Sequence, residues 1–190
     1  TYWAHKDPVA IFRGSMTGVG SDSATNQRSN LCSLSIPGLD AKLTGANRRY
    51  KVDPYSKAIT MVHRSCSSKF NFVPMDEQQS NYRYGICIDG HSAPDRMGEL
   101  FNGKQCVLKV ASLPTNLGSR CYVSDFLHAW EHYVPVKQDM SDMANMLDWL
   151  QENDDCAKVI AENCAAMSSA YISRHAITSW WKICSQGMNY

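Results

Sequence analysis

Residues 81–97 read NYRYGICIDGHSAPDRM, and this stretch decides the fold more than any other. Strand-forming residues over Tyr82–Ile88 end at the turn signal Asp89-Gly90, and small and polar residues then begin a run that continues past Arg96. The pattern predicts a strand, a tight turn and a helix with Arg96 one turn inside it. Free backbone N–H groups beside an arginine suit a phosphate-bearing ligand. The alternative is an ordinary strand-to-helix junction whose arginine lies on the surface.

The length and composition describe a globular protein that can bury a core, as one large domain or two very small ones. The sequence has 190 residues, is 44% hydrophobic and 19% charged, and carries a formal charge of +1. This balance argues against a nucleic-acid partner, because general nucleic-acid-binding proteins have an evident basic excess. No apolar run approaches the length of a transmembrane span. The chain begins at Thr1 with neither an initiator Met nor a signal peptide, as a fragment or a processed form would.

Eight cysteines are spread along the chain without a CxxC pair, which disfavours a zinc knuckle. Cys87 and Cys106 fall in predicted buried strands and Cys164 on an apolar helix face, where a thiol behaves as a small hydrophobe. One or two disulfides remain open for an oxidising compartment. His128 and His132 are four residues apart, but the second belongs to a strand-like run, so we expect no metal site there.

A second glycine-rich turn follows the first predicted strand, Asp7–Phe12. Residues 14–23 after this strand are rich in glycine and hydroxyl groups, which can bring N–H and O–H donors close to an anion. The segment matches neither the Walker pattern nor a complete GxGxxG, so a flexible surface loop is the alternative. A helix over Ala24–Leu34 is predicted to follow it.

Further strands and helices alternate along the rest of the chain. Strands are predicted at Leu39–Leu43, Gln105–Val110 and His132–Val136. The proline of the last one indicates a sheet edge or a strand end. Short helices are predicted at Met75–Ser80 and from Tyr122 to about Trp130. Three more are predicted in the C-terminal part: one along Met140, Met143, Leu147 and Leu150, one that Asn153 caps, and one from Ala176 to Cys184. We expect Trp180 and Trp181 in the last helix to make core or lobe contacts. The basic cluster Asn47–Lys51 is predicted to be solvated, and Asp53–Phe72 shows no periodicity that supports a prediction.

This alternation of strands and helices, followed by a helical tail, predicts an α/β sandwich with a mainly parallel sheet. In such folds ligands bind at the carboxyl ends of the strands. The glycine turn after Phe12 and the turn at Asp89-Gly90 both fall at such ends. Together they favour an anion site more strongly than either turn does alone.

Five motifs occur in an order typical of one enzyme family. They are Phe12-Arg13-Gly14-Ser15, Tyr82-Arg83-Tyr84 followed by Asp89-Gly90 and Arg96, HYVPVK at 132–137, DMSD at 139–142, and NDD at 153–155 leading to IAEN at 160–163. From about Lys6 to Trp181 the sequence resembles the CAP10-like and Rumi-like protein O-glucosyltransferases, glycosyltransferase family 90. The resemblance implies the C-terminal, donor-binding lobe of a GT-B fold. This lobe would be a Rossmann-like three-layer sandwich, with an α/β core over about 1–137 and helices over 138–190 packed on it.

The resemblance also implies a reaction: transfer of a sugar, with inversion, from a nucleotide-diphosphate sugar such as a UDP-sugar to a hydroxyl of a protein or glycan. It places the donor against Arg13, Gly14 and Ser15 and against a loop formed by Asp89, Gly90, His91, Ser92, Ala93, Asp95 and Arg96. It implies neither a metal nor another cofactor. The family's acceptor-activating aspartate lies in an N-terminal lobe, so no catalytic base is assigned in this sequence. A missing N-terminal lobe or a partner chain would supply it.

Two departures leave the identity of the donor open. Asp95 stands where the animal protein O-glucosyltransferases have an aromatic residue, and the glycine-rich segment 17–20 is more similar to microbial or viral members. Two alternatives remain beside the enzyme: a non-catalytic nucleotide-sugar-binding or structural module derived from such a lobe, and an unrelated α/β nucleotide-binding protein. The expected compartment is the ER or Golgi lumen if the protein is like the eukaryotic members, and the cytoplasm in a microbial or viral setting.

Overall fold

A five-stranded parallel sheet forms the centre of the protein. The computed structural model describes residues 2–45, 49–53, 55–62, 71–91, 94, 96–113 and 122–186, without the side chains of Arg49, Val62, Tyr122 and Val123. The strands of this sheet are β1 (Asp7–Ser15), β2 (Leu39–Gly45), β5 (Tyr82–Cys87), β6 (Cys106–Val110) and β7 (Val134–Val136). Their order in the sheet is β2-β1-β5-β6-β7, and every neighbouring pair is parallel. Two further strands, β3 (Arg49–Val52) and β4 (Ile59–Val62), form a separate antiparallel hairpin.

Helices cover both faces of the parallel sheet. They are α1 (Gln27–Ser33), α2 (Met75–Asn81), α3 (Met97–Asn102), α4 (Met143–Glu152), α5 (Asp154–Tyr171) and α6 (Arg174–Gln186). One buried cluster joins the sheet to α1, α4 and the first half of α5, and a second joins it to α3 and the second half of α5. The predicted Rossmann-like, three-layer α/β fold is therefore confirmed. No helix among the described residues has the length and apolarity needed to cross a membrane.

The alternation of side chains along the strands explains the two clusters. In β5, Tyr84 and Ile86 face the first cluster, whereas Cys87 faces the second. In β6, Cys106 and Leu108 likewise belong to the first cluster and Val107 to the second. Strands buried on both faces have continuous apolar runs, which is why these segments were predictable from the sequence.

Several predicted helix boundaries are wrong. The helix after β5 begins at Met97, so Arg96 occupies the position before the helix and does not lie one turn inside it. The helix predicted over Ala24–Leu34 begins at Gln27, because Asn26 caps it by accepting a hydrogen bond from the N–H of Ser29 at 3.0 Å. The helix predicted from Tyr122 to about Trp130 is a 3₁₀ helix that ends at Phe126.

The C-terminal helices also differ from expectation. Asn153 precedes α5 but does not cap it with its side chain, since its amide donates back to the carbonyl of Trp149 at 2.9 Å. In α6 no side chain is buried, and Trp180 and Trp181 are 57% and 62% exposed. Among the described residues these tryptophans do not belong to the buried core, whereas the predicted contact with another lobe stays a prediction. The predicted edge position of the last strand is confirmed, because β7 pairs with β6 at the end of the sheet order.

Candidate functional site

A cavity of about 630 Å³ opens at the carboxyl ends of β1 and β5. The sheet order changes direction here, because β2 lies on one side of β1 and β5 on the other. Open α/β sheets bind ligands at such a switch point, and the volume lies in the range of small-molecule sites. The described lining residues are Ser15, Thr17, Arg28, Phe72, Val73, Met75, Gln78, Gly90, His91, Pro94, Arg96 and Glu99.

Arg28 lies beneath the cavity and joins the two strand ends. Its side chain is buried, and it donates to the carbonyls of Asp89 at 2.8 Å, Ile88 at 3.1 Å and Ser15 at 3.0 Å. It comes from the first turn of α1, where it shares the buried face with Leu31. The guanidinium therefore satisfies carbonyls at the ends of both strands and adds a fixed positive charge to the floor of the cavity.

Arg96 forms part of the wall of the cavity. Its Nη1 donates a hydrogen bond to the carbonyl of Arg13, and its guanidinium lies 5.3 Å from the centre of the Phe12 ring. Gly14 permits this approach, because a Cβ atom at that position would lie 2.8 Å from the Phe12 ring and 3.0 Å from Nη2 of Arg96. The side chain is half-buried, so it is positioned by the protein and still faces the cavity.

Arg13 has a different environment from the one expected for a residue that contacts a donor diphosphate. It is buried, and its guanidinium donates to the carbonyls of Phe12 and Asp40 and to the Asp40 carboxylate at 2.5 Å. Among the described residues that line the cavity, Arg13 does not appear. Its contact with a donor stays a prediction, and in this structure the side chain joins β1 to β2.

The glycine-rich loop after β1 is anchored at several points. Lys51 of β3 is buried, and its ammonium donates to the carbonyls of Met16 at 3.0 Å and Gly18 at 2.6 Å. The N–H of Gly20 donates to the carbonyl of Val52 at 2.9 Å. The N–H of Gly18 donates to Nδ1 of His91 at 3.3 Å, which joins this loop to the turn after β5. The prediction that Lys51 is solvated is therefore wrong, while Asn47 and Arg48 lie outside the described residues.

The structure brings together several of the residues predicted to bind the donor. Ser15, Gly90, His91 and Arg96 line the cavity, and Gly14 lies against Arg96. Asp89 is buried beside them, with its carbonyl bound to Arg28. Ser92, Ala93 and Asp95 lie outside the described residues.

Arg28, Phe72 and Glu99 are among the lining residues that were not predicted to belong to the site. Arg28 lies three positions before the apolar Leu31 and therefore on the same face of the helix. This spacing was the available signal that Arg28 faces the interior. Phe72 lies in a segment without periodicity, and nothing local distinguishes it. Glu99 lies at an exposed position of α3, where nothing in the sequence distinguishes it from any other glutamate on a helix surface.

The described residues contain no group of three or more histidine, cysteine, aspartate or glutamate side chains placed to hold a metal ion. His132 lies in the turn before β7, where its Nδ1 accepts a hydrogen bond from the N–H of His128 at 3.1 Å. The two histidine rings are 5.6 Å apart between centroids. This pair therefore has a structural role in the turn.

Comparison with known proteins assigns the family. Residues 1–183 match glycosyl transferase family 90. The chain is 31% identical over 178 residues to the protein named "Uncharacterized protein 035R" of Invertebrate iridescent virus 3, an alignment that covers 92% of this chain and 16% of the viral protein. It is 29% identical over 190 residues to protein O-glucosyltransferase 1 of Rattus norvegicus, which covers 95% of this chain and 41% of the rat protein. With protein O-glucosyltransferase 3 of Homo sapiens the identity is 32% over 103 residues, which covers 53% of this chain and 19% of the human protein.

The protein belongs to glycosyl transferase family 90, because the family match extends over nearly the whole chain. The predicted resemblance is thereby confirmed. The chain spans 16% of the length of the first viral relative and 41% of the length of the rat enzyme. It therefore corresponds to a part of these longer proteins.

Proposed function

We propose that this member of glycosyl transferase family 90 is the donor-binding lobe of a glycosyltransferase and holds the diphosphate of a nucleotide sugar between β1 and β5. The observation that carries the proposal is the cavity at the switch point, lined by two arginines and by the glycine turns of both strands. Its donor would be a UDP-sugar and its acceptor a hydroxyl of a protein or glycan, with inversion at the sugar carbon.

The charge balance of the reaction supports this assignment. When the sugar leaves a nucleotide-diphosphate donor, negative charge grows on the diphosphate oxygens, and fixed cations and N–H donors lower the barrier by stabilising it. Arg96 and Arg28 supply positive charge at the cavity, and the turn at Gly90 supplies backbone close to it. A Cβ atom on Gly90 would lie 2.8 Å from Oγ1 of Thr17 and 3.1 Å from Nη2 of Arg28, so a larger residue would press these groups apart.

The attacking acceptor hydroxyl needs a general base, and we place that base outside this sequence. The carboxylate among the described lining residues belongs to Glu99, which is exposed on α3. The resemblance to the family assigns base catalysis to an aspartate of an N-terminal lobe. In this proposal the present chain binds and orients the leaving group, and the other lobe activates the nucleophile.

A binding experiment tests the proposal. UDP, UDP-glucose and UDP-xylose would be titrated into the wild type, Arg96→Ala and Arg96→Lys, with Arg174→Ala on α6 as the matched arginine control. We expect Arg96→Ala to weaken binding more than about tenfold, since loss of a hydrogen bond to a charged group costs about 1.5–3 kcal/mol. Arg96→Lys should fall between, because lysine keeps the charge but lacks the planar fork. Arg174→Ala should bind like the wild type.

Two results would refute the proposal. One is the absence of measurable binding to any of the three nucleotides by the folded wild type. The other is an unchanged affinity in both Arg96 variants, with circular dichroism showing that they are folded. Binding without sugar transfer, when the proposed N-terminal lobe is added, would favour the non-catalytic binding module.

A further inference from the structure

We propose that Phe72 is the platform on which the nucleobase of the donor stacks. This inference rests on the proposed function, because it requires a nucleotide-linked donor in the cavity between β1 and β5. It goes further by assigning the nucleoside to the apolar lining residues Phe72, Val73 and Met75. These residues would be the part of the site that favours nucleotide donors over donors without a base.

The first observation is that the described lining residues of the cavity include two chemically different groups. Arg28, Arg96 and the hydroxyls of Ser15 and Thr17 suit phosphate oxygens. Phe72, Val73 and Met75, which are close in the sequence, supply apolar side chains. A nucleoside diphosphate has the same division, since its charged diphosphate continues into a flat base with an apolar face.

The second observation is that Phe72 is exposed although its backbone is held in place. Its side chain is 65% exposed. On one side of it, the Asn71 amide donates to the carbonyl of Leu43 at 3.2 Å, and on the other the Gln78 amide donates to the carbonyl of Val73 at 2.6 Å. The short segment that carries the ring is therefore attached to the protein at both of its ends.

An exposed phenylalanine alone would mean little, because single apolar residues are common on protein surfaces. Here the ring lines a cavity that is also lined by the guanidinium groups of Arg28 and Arg96. Aromatic side chains bind bases by stacking, and this interaction tolerates any base because every base has a π face. Phe72 thus accounts for recognition of a nucleoside as such, and discrimination between bases would come from other groups.

The test separates the base from the phosphates. UDP and inorganic pyrophosphate would be titrated separately into the 190-residue wild type, Phe72→Ala, Phe72→Leu and Phe72→Trp. Tyr55→Ala is the control, because Tyr55 is 71% exposed and is not among the described residues of the cavity. Loss of a base stack reduces affinity by about five- to 150-fold. We therefore expect Phe72→Ala to weaken UDP at least about fivefold and to leave pyrophosphate within about twofold.

The remaining variants distinguish stacking from general apolar contact. Phe72→Trp should keep the affinity for UDP, whereas Phe72→Leu should resemble Phe72→Ala because it keeps bulk and loses the π face. Unchanged UDP affinity in Phe72→Ala would overturn the platform, and so would equal weakening of UDP and pyrophosphate. If pyrophosphate binds too weakly to measure, the order of Trp, Phe, Leu and Ala for UDP decides the matter in the same way.

The proposed function can fail separately from this inference. Failure of the wild type to bind UDP removes both. Binding of UDP that is weakened by Arg96→Ala but untouched by Phe72→Ala leaves the donor lobe in place and removes the platform alone.

Discussion

The ion pair between Arg13 and Asp40 shows how a single buried residue connects two strands. Arg13 is 6% exposed and Asp40 is 28% exposed, and their side chains approach to 2.5 Å. Burial acts to raise the pKa of Asp40, but the hydrogen bond and charge of Arg13, helped by Lys42, outweigh it and hold the pKa below its ordinary value. The pair thus favours the charged carboxylate in the folded state.

This pair predicts a specific dependence of stability on pH. A carboxyl whose pKa is lowered by folding stabilises the protein fully above its unfolded pKa of about 3.9, and the contribution is lost as the pH falls through the folded pKa. We expect Asp40→Asn to lower the free energy of unfolding by about 1–3 kcal/mol at pH 7, since Arg13 loses its charged partner. The difference from the wild type should shrink as the pH falls below about 3.9.

Urea unfolding of both proteins between pH 7 and pH 2.5 measures this effect. Lys42→Ala is the control, because the Lys42 side chain is 53% exposed and lies 3.3 Å from Asp40, so its removal should cost less than about 1 kcal/mol. A wild-type minus Asp40→Asn difference that stays constant down to pH 2.5 would contradict the prediction.

The Arg13 side chain shows which contacts a local sequence pattern cannot predict. The pattern placed Arg13 and Arg96 correctly near the carboxyl ends of two strands, because strand ends and glycine turns are local features. It could not show that Arg13 binds Asp40, since that partner lies 27 residues away and becomes a neighbour through the pairing of β1 with β2. Arg28 was not singled out for the same reason, because the carbonyls that it binds belong to two other strand ends.

At the level of elements, the β3–β4 hairpin supports the glycine-rich loop of the site. Lys51 donates to two carbonyls of this loop, and Val52 accepts a hydrogen bond from Gly20. Gly20 has a φ of +79°, and a Cβ atom there would lie 2.2 Å from the carbonyl oxygen of Thr25. The loop therefore has a fixed conformation that depends on an element outside the main sheet.

Replacing Lys51 by Met tests this dependence. Met keeps an unbranched apolar chain but removes the ammonium, so the carbonyls of Met16 and Gly18 lose a buried donor, at a cost of about 1–3 kcal/mol. We expect faster amide hydrogen exchange at Gly18 and Gly20 and a lower free energy of unfolding. Lys42→Met is the matched control, because the Lys42 side chain on β2 is 53% exposed. Equal exchange in both variants would show that the hairpin does not hold the loop.

The hairpin could not be predicted from the sequence, whereas the central strands could. The central strands have continuous apolar runs because both of their faces are buried. In the hairpin, the apolar residues Tyr50, Val52 and Ile59 are 70%, 44% and 70% exposed. The positions of apolar residues in the sequence therefore do not indicate a buried face. Its strands have four residues each, which is short for any periodicity to be recognised.

At the scale of the whole molecule, α5 joins the two halves of the core. Ala157, Ile160 and Ala161 pack in the first cluster, and Cys164 and Met167 pack in the second. The sequence predicted an α/β core over about 1–137 with helices packed on it. Because α5 contacts both buried clusters, its packing would couple the two faces of the sheet. By contrast, α6 contributes no buried side chain. We therefore expect the core to unfold as one cooperative unit that includes α5.

The buried cysteines provide a measurement of this cooperativity. Cys87, Cys106 and Cys164 are free and buried, and burial raises the pKa of each thiol, to about 12 for Cys87 and Cys164. Because the thiolate is the reactive form, these residues should be labelled almost only after unfolding, whereas the exposed Cys156 should react in the native protein. Pulsed labelling at increasing urea, with each cysteine identified by peptide mass spectrometry, should give one common midpoint for the three buried thiols. If Cys164 became reactive at lower urea than Cys106, the C-terminal helices would unfold before the sheet, and residues 138–190 would be a separate cooperative unit.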